Sequence, residues 1–251
     1  MYKIGLKLWS INKQYVEEAI KLYETNFIQY VELYVIPDSY KETVTYWENL
    51  NIPYIIHAPH FSHGLNFAKK EQLAKNITFA NEALKYADSL KSEIIIFHPG
   101  VEGHIEETTR QLKIINDSRI VIENKPYYSL DGKFICVGYS KEEIEFVTKN
   151  AKIGFCLDIG HAICAANSKK IKPFYFLEEF IKLNPKMYHL TDGDFDGVYD
   201  KHLHFGNGSF PIKQILKLIP PDSLITNEAK KDSNDNLLDF VKDIDKFREY
   251  L

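Results

Sequence analysis

Apolar residues in this chain cluster in short β-rich runs, each followed by a stretch with helical spacing. The runs are KIGLKLW from Lys3, YVELYVI from Tyr30, PYIIHA from Pro53, EIIIFHP from Glu93, RIVIENK from Arg119, IGFCLDI from Ile153, KMYHLTD from Lys186 and SLITNEA from Ser223. Short runs enriched in β-branched and aromatic residues predict strands. Between them, Val16, Ala19, Ile20 and Tyr23, then Leu73, Ile77, Ala80, Ala83, Leu84 and Ala87, and finally Leu237, Phe240, Val241 and Ile244 fall on one face of a helix. Eight strand–helix units in 251 residues predict an α/β fold, a single (β/α)8 TIM barrel spanning residues 1–251. A doubly wound open sheet is the alternative, but it needs fewer strands, and no G-x-G-x-x-G follows the first one. No Pro- or Gly-rich linker divides the chain, and its longest stretch without strand or helix pattern runs from Thr191 to Phe210. A loop of that length inside one domain points to function.

Polar residues interrupt the apolar pattern at a recurrent place. In the third to eighth runs the apolar stretch gives way to one ionisable residue: PYII then His57, EIIIF then His98, RIVI then Glu123, GFCL then Asp158, MY then His189, and SLITN then Glu228. In a barrel these positions lie at the carboxyl mouth, where active sites of this architecture are built. Loops add His161, three residues after Asp158, and Asp200 with His202 in the segment YDKHLHFGNG, for a total of five histidines, two aspartates and two glutamates. Taken singly, each has a plainer reading: a hydrogen-bonded histidine, or a carboxylate that caps the next helix. Together they would carry like-charge repulsion and desolvation penalties of several kcal/mol without a cation. Mixed imidazole and carboxylate donors suit zinc, with manganese or iron as alternatives, and nine donors exceed what one tetrahedral ion uses. Two or three ions are expected. If the loop stays extended, Asp200 and His202 face one ion while Lys201 turns away, and His204 follows on the same face as a substrate contact or lies on the surface.

Composition narrows the partners. A formal charge of −4, with 31 basic and 35 acidic residues spread along the chain, gives no basic footprint for nucleic acid or an anionic membrane. Cys136, Cys156 and Cys164 are odd in number and lack C-x-x-C spacing, so no disulfide framework is expected. The N-terminus MYKIGLKLWSINK has no secretory signal pattern, and no run of about 18 apolar residues occurs, so a reducing cytoplasm is expected.

The ordered motifs IHAPHF at 56, FHPG at 97, VIEN at 121, CLDIGHA at 156, YHLTD at 188, DKH at 200 and NE at 227 resemble endonuclease IV, within the wider xylose isomerase-like barrel superfamily. The resemblance implies a metallohydrolase that cleaves phosphodiesters at abasic sites in DNA, with Glu123 and Glu228 at the centre of the chemistry. By the same resemblance His57, His98 and Glu123 hold one zinc ion. Glu123 bridges to a second, held also by Asp158, His189 and Glu228, and His161, Asp200 and His202 hold a third. Other members of the superfamily isomerise or epimerise sugars around one divalent ion; they resemble this chain at Glu123, Asp158, His189 and Glu228, where the two glutamates move a proton between neighbouring carbons.

Several positions depart from the DNA enzyme. The first run, GLKLWSINKQ, lacks its A-H-V-S and paired-glycine pattern, and the second carries Glu32 inside an apolar run, as many sugar isomerases do, with no arginine in its loop. His60 and Phe61 stand where a tyrosine and a leucine would wedge into a duplex. Phe61 either stacks on a base or sugar or packs under its loop. Trp9 and Lys7 are candidate pocket residues, with core packing the alternative for Trp9. Lys125, Lys230 and Lys231 are candidate anion contacts, with solvated surface lysines the plainer reading for the last two. Hydrolysis of abasic-site DNA, conversion of a small sugar, and a metal-stabilised barrel that binds a ligand without turnover are the three readings that emerge.

Overall fold

Each of the eight apolar runs is a strand in the computed structural model, which describes residues 1–251. The strands are β1 (Lys3–Trp9), β2 (Tyr30–Tyr34), β3 (Tyr54–His57), β4 (Ile95–Phe97), β5 (Ile120–Glu123), β6 (Gly154–Asp158), β7 (Met187–His189) and β8 (Leu224–Asn227). All pair in parallel and in sequence order, and β8 closes on β1. Outside the barrel lie α1 (Val16–Glu24), α2 (Tyr40–Glu48), α3 (Leu73–Ser89), α4 (Ile105–Ile115), α5 (Lys141–Ala151), α6 (Ile159–Ser168), α7 (Pro173–Ile181), α8 (Ile212–Leu216) and α9 (Leu238–Arg248). The predicted helical faces at Val16, Leu73 and Leu237 belong to α1, α3 and the entry to α9. The β6–β7 connection holds two helices rather than one, because Lys169 and Lys170 end α6 and Pro173 starts α7 at its first turn.

Two apolar layers result. The larger, 55 buried residues, fills the space between strands and helices. The smaller lies inside the barrel and consists of Tyr30, Ile55, Ile96, Val121, Cys156 and Met187, one from each of six consecutive strands. In each of these strands the residue two positions further on is Glu32, His57, His98, Glu123, Asp158 or His189. Strand side chains alternate with a period of two, so the ionisable ring is stacked directly above the apolar ring on the same inward face. Thr226 continues the lower ring through its bond to the Tyr30 hydroxyl, 2.9 Å, and Glu228 stands two residues beyond it.

Gly5 leaves the gap that Tyr30 occupies, since a Cβ built there would meet Tyr30 Cε2 at 2.3 Å. Gly5→Ala is therefore expected to cost about 1–3 kcal/mol by overpacking the barrel floor. Urea denaturation of the two proteins measures it, and a change below about 0.5 kcal/mol would refute the crowding argument.

No regular element forms between His189 and Ile212, and an isolated bridge between Asp192 and Leu203 pins that long loop to itself. Cys136, Cys156 and Cys164 are free thiols in the interior. No helix is long and apolar enough to cross a membrane.

Candidate metal centre

The stacked upper ring brings together the residues that the sequence singled out. His57, Glu123, Asp158 and His189 are the last residues of β3, β5, β6 and β7, while His98 and Glu228 directly follow the ends of β4 and β8. With His161 and Asp200 they are all at least nine-tenths buried; only His202 keeps appreciable exposure, 31% of its side chain. His161 enters from the first turn of α6 because Asp158 caps that helix, its Oδ1 accepting from the His161 N–H at 2.7 Å. Asp158 thus plays the plainer role of helix cap with one oxygen and still turns Oδ2 to the mouth, 3.6 Å from His161 Nδ1. Asn124 holds this corner together by bonding the Asp158 backbone in both directions, 2.8 and 2.9 Å.

Three donor groups share the mouth. In the first, His57 Nε2 lies 3.0 Å from His98 Nε2, and Glu123 Oε2 lies 2.9 Å from His98 Nε2 and 3.6 Å from His57 Nε2. Donors around a tetrahedral ion with bonds of about 2.0–2.1 Å are separated by about 3.3 Å, so this triangle fits a shared cation. In the second, His189 Nδ1 faces Glu228 Oε1 at 2.9 Å, Glu123 Oε2 at 3.4 Å and Asp158 Oδ2 at 3.9 Å. The third gathers His161, Asp200, His202 and Asp158, with Asp200 Oδ2 3.3 Å from His161 Nε2 and in contact with His202 Nε2. Glu123 joins the groups, its Oε1 also lying 3.1 Å from His161 Nδ1.

Electrostatics point the same way. Glu32, Glu123, Asp158, Asp200 and Glu228 crowd five buried carboxylates around the ammonium groups of Lys7 and Lys125. Burial raises the Asp158 carboxyl to about 6, with neighbouring Asp200, Glu123 and Glu228 adding to the rise. For His161 burial disfavours the charged ring, yet Asp158 and bonds to Asp200 and Glu123 outweigh it and push the ring up to about 10. Burial likewise opposes charge on His189 and His202, and the facing anions raise both nonetheless. His57 and His98 are depressed, chiefly by burial, which favours the neutral form that a ligand requires. Buried His98 Nδ1, His189 Nδ1, Asp200 Oδ2 and His202 Nε2 make no well-angled hydrogen bond, although the last three lie close to Glu228, His161 or each other. Interiors rarely leave such atoms unsatisfied, so the last three, which face the mouth, fit bound cations.

The other sequence candidates divide. Lys125 lies deep, its Nζ 3.5 Å from Glu123 Oε1 and 3.4 Å from His161 Nε2. His60 stacks on His98 with ring centroids 5.7 Å apart, and Phe61 packs edge-on to Phe134 at 5.8 Å, half-exposed at the rim. Trp9 is not a core residue; it is 48% exposed and borders Tyr34 and His63 at the rim. Lys230 is exposed, whereas Lys231 is half-buried with its Nζ on the Ala229 carbonyl, 3.2 Å. The expectation for His204 on the ligand face fails: His202 has a left-handed φ of +48°, which breaks the extended alternation. His204 instead bonds Asp243 at 2.7 Å and Asp232 at 3.1 Å, on the side of α9.

Tyr34 and His63 were not singled out in the sequence. Tyr34 pairs in register with His57, and its hydroxyl bonds His63 Nδ1 at 2.6 Å and accepts from the His60 N–H at 3.0 Å. The strand-end rule applied to β2 would have found Tyr34; nothing near His63 in the sequence marks it.

The family described as xylose isomerase-like TIM barrel matches residues 18–250. A probable endonuclease 4 of Mycoplasmopsis pulmonis is 26% identical over 183 residues, 66% of this chain and 64% of that protein. Among solved structures, endonuclease IV from Thermus thermophilus superposes with a TM-score of 0.72 at 19% identity, over 99% of this chain and 98% of that one. A D-tagatose 3-epimerase-like protein superposes with a TM-score of 0.71 at 22% identity, over 99% of this chain and 96% of that one.

Proposed function

The chain belongs to the xylose isomerase-like TIM barrel family, and on that premise we propose that it is a metal-dependent phosphodiesterase, with DNA carrying an abasic site as its substrate. The observation that carries this reading is the convergence of nine imidazole and carboxylate residues at one mouth, with Glu123 within 3.6 Å of His57, His98, His161 and His189. Conversion of a sugar around one ion has no use for His57, His98, Asp200 and His202 as ligands. His57, His98 and Glu123 would hold one ion, Glu123, Asp158, His189 and Glu228 a second, and His161, Asp200 and His202 a third. Bound there, such ions supply Lewis acidity toward phosphoryl oxygens and acidify a water.

The chain's own groups do the rest. Burial of the ring excludes bulk water and strengthens each charge interaction in it. Lys125, with 11% of its side chain exposed, offers an ammonium to a phosphate oxygen at the same depth as the donors. Trp9, His60 and Phe61 present aromatic faces at the rim, backed by buried Tyr34, and are suited to flank a sugar or an unstacked base.

The same aromatic rim favours a second reading, epimerisation of a small ketose, in which Glu123 and Glu228 move the proton. One experiment separates the two. Zinc-loaded protein is expected to nick a duplex containing an abasic site, with Glu228→Gln lowering the rate by at least about 100-fold. No nicking, together with turnover of a ketose from a panel of free sugars, would reverse the ranking.

A further inference from the structure

The three ions proposed above leave Glu32 unassigned, yet it is fully buried and its carboxylate lies within 4.8 Å of donor atoms of His57, His189 and Glu228. Its two oxygens go to two different histidines: Oε1 lies 2.8 Å from His57 Nδ1, and Oε2 lies 2.9 Å from His189 Nε2. In each ring the nitrogen bonded to Glu32 is the one away from Glu123, although His57 Nδ1 also lies 4.0 Å from Glu228 Oε1. The opposite nitrogens, His57 Nε2 and His189 Nδ1, are those aimed at His98, Glu123 and Glu228. We propose that Glu32 is a positioning residue that spans His57 and His189, fixes the tautomer and rotation of both rings, and thereby couples the first and second ion sites. The inference rests on the metal reading of the mouth but not on which reaction follows.

Lys7 pairs with Glu32 in register across β1 and β2, and its Nζ lies 3.0 Å from the same His57 Nδ1. Were Lys7 the partner, it would donate to Nδ1, and His57 would carry its proton on Nε2, the nitrogen needed by a cation. An ammonium has donors only. Lys7 has acceptors elsewhere, in Glu228 and in Glu32 Oε1 at 3.4 Å, and His57 Nδ1 has a nearer carboxylate acceptor in Glu32. The ion pair therefore serves to anchor Glu32. A carboxylate is needed because an amide offers one acceptor oxygen and would turn its NH2 on the other histidine. Carboxylates that orient ligating histidines through the far ring nitrogen change metal affinity by about 10–100-fold when removed.

The test compares wild-type protein and Glu32→Gln by zinc titration against a competing chelator and by nitrogen-15 spectra of the histidine rings. Wild type should show His57 protonated at Nδ1 and several zinc equivalents bound. Glu32→Gln should weaken two equivalents by about 10–100-fold, leave the one at His161, Asp200 and His202 unchanged, and alter the ring signals of His57 or His189. Equal weakening of all equivalents, as a misfolded mouth would give, overturns the proposal, as does a wild-type His57 protonated at Nε2. Unchanged zinc affinity in the variant overturns this inference alone. A wild-type protein that takes up no zinc overturns the reading of the site together with it.

Discussion

Glu123→Gln is expected to reduce the bound metal from two or three ions to at most one and to lower turnover by about 1000-fold. Glu123 touches members of all three donor groups, with His98 at 2.9 Å, His161 at 3.1 Å and His189 at 3.4 Å. Its replacement by the isosteric amide removes one negative charge and puts an NH2 where a second ligand oxygen stood. Transition-state stabilisation by shared ions is worth several kcal/mol, and about 4 kcal/mol corresponds to the stated factor. Metal analysis of dialysed protein and single-turnover kinetics measure the two effects. Full metal content with wild-type turnover would remove Glu123 from the centre of the chemistry. Unchanged metal with lost turnover would reassign it from ligand to proton carrier, the role that the epimerase reading gives it.

Zinc should raise the melting temperature by roughly 8–16 °C for one site filled at about 1000 times its Kd. That occupancy contributes about 4 kcal/mol by mass action, and a domain of this size gains about 2–4 °C per kcal/mol. The physical source is the five-carboxylate mouth, which in the metal-free protein is balanced by Lys7, Lys125 and protons on raised histidines. Zinc must displace those protons. Its affinity therefore falls as pH falls, and the gain in melting temperature should shrink between about pH 8 and about pH 6. Calorimetry with and without zinc at both pH values checks size and direction. A shift below about 2 °C, or one that grows in acid, would contradict a proton-competed metal centre. Asp200→Asn, placed in the third group, should lower the gain without touching the sites that contain His57.

What the amino-acid order determined by itself is the barrel and most of its mouth. Strand period and strand end are local properties: eight apolar runs, most of them closing on a polar residue, place His57, Glu123, Asp158 and His189 at strand termini whatever the helices do. Closure then forces those termini onto one ring, because parallel neighbours in sequence order leave them no other place. Positions that depend on loop backbone or on contacts across the barrel were decided only by tertiary structure. His204 leaves the ligand face because of one left-handed residue at His202, a turn that no side-chain pattern in YDKHLHFGNG encodes. Trp9 ends at the rim, in contact with Tyr34 and His63 from separate segments. Glu32 reads as a lone charge in an apolar strand until the barrel closes and sets Lys7, His57 and His189 around it. A buried charge acquires its role from the partners that neutralise it, and those partners come from three other strands.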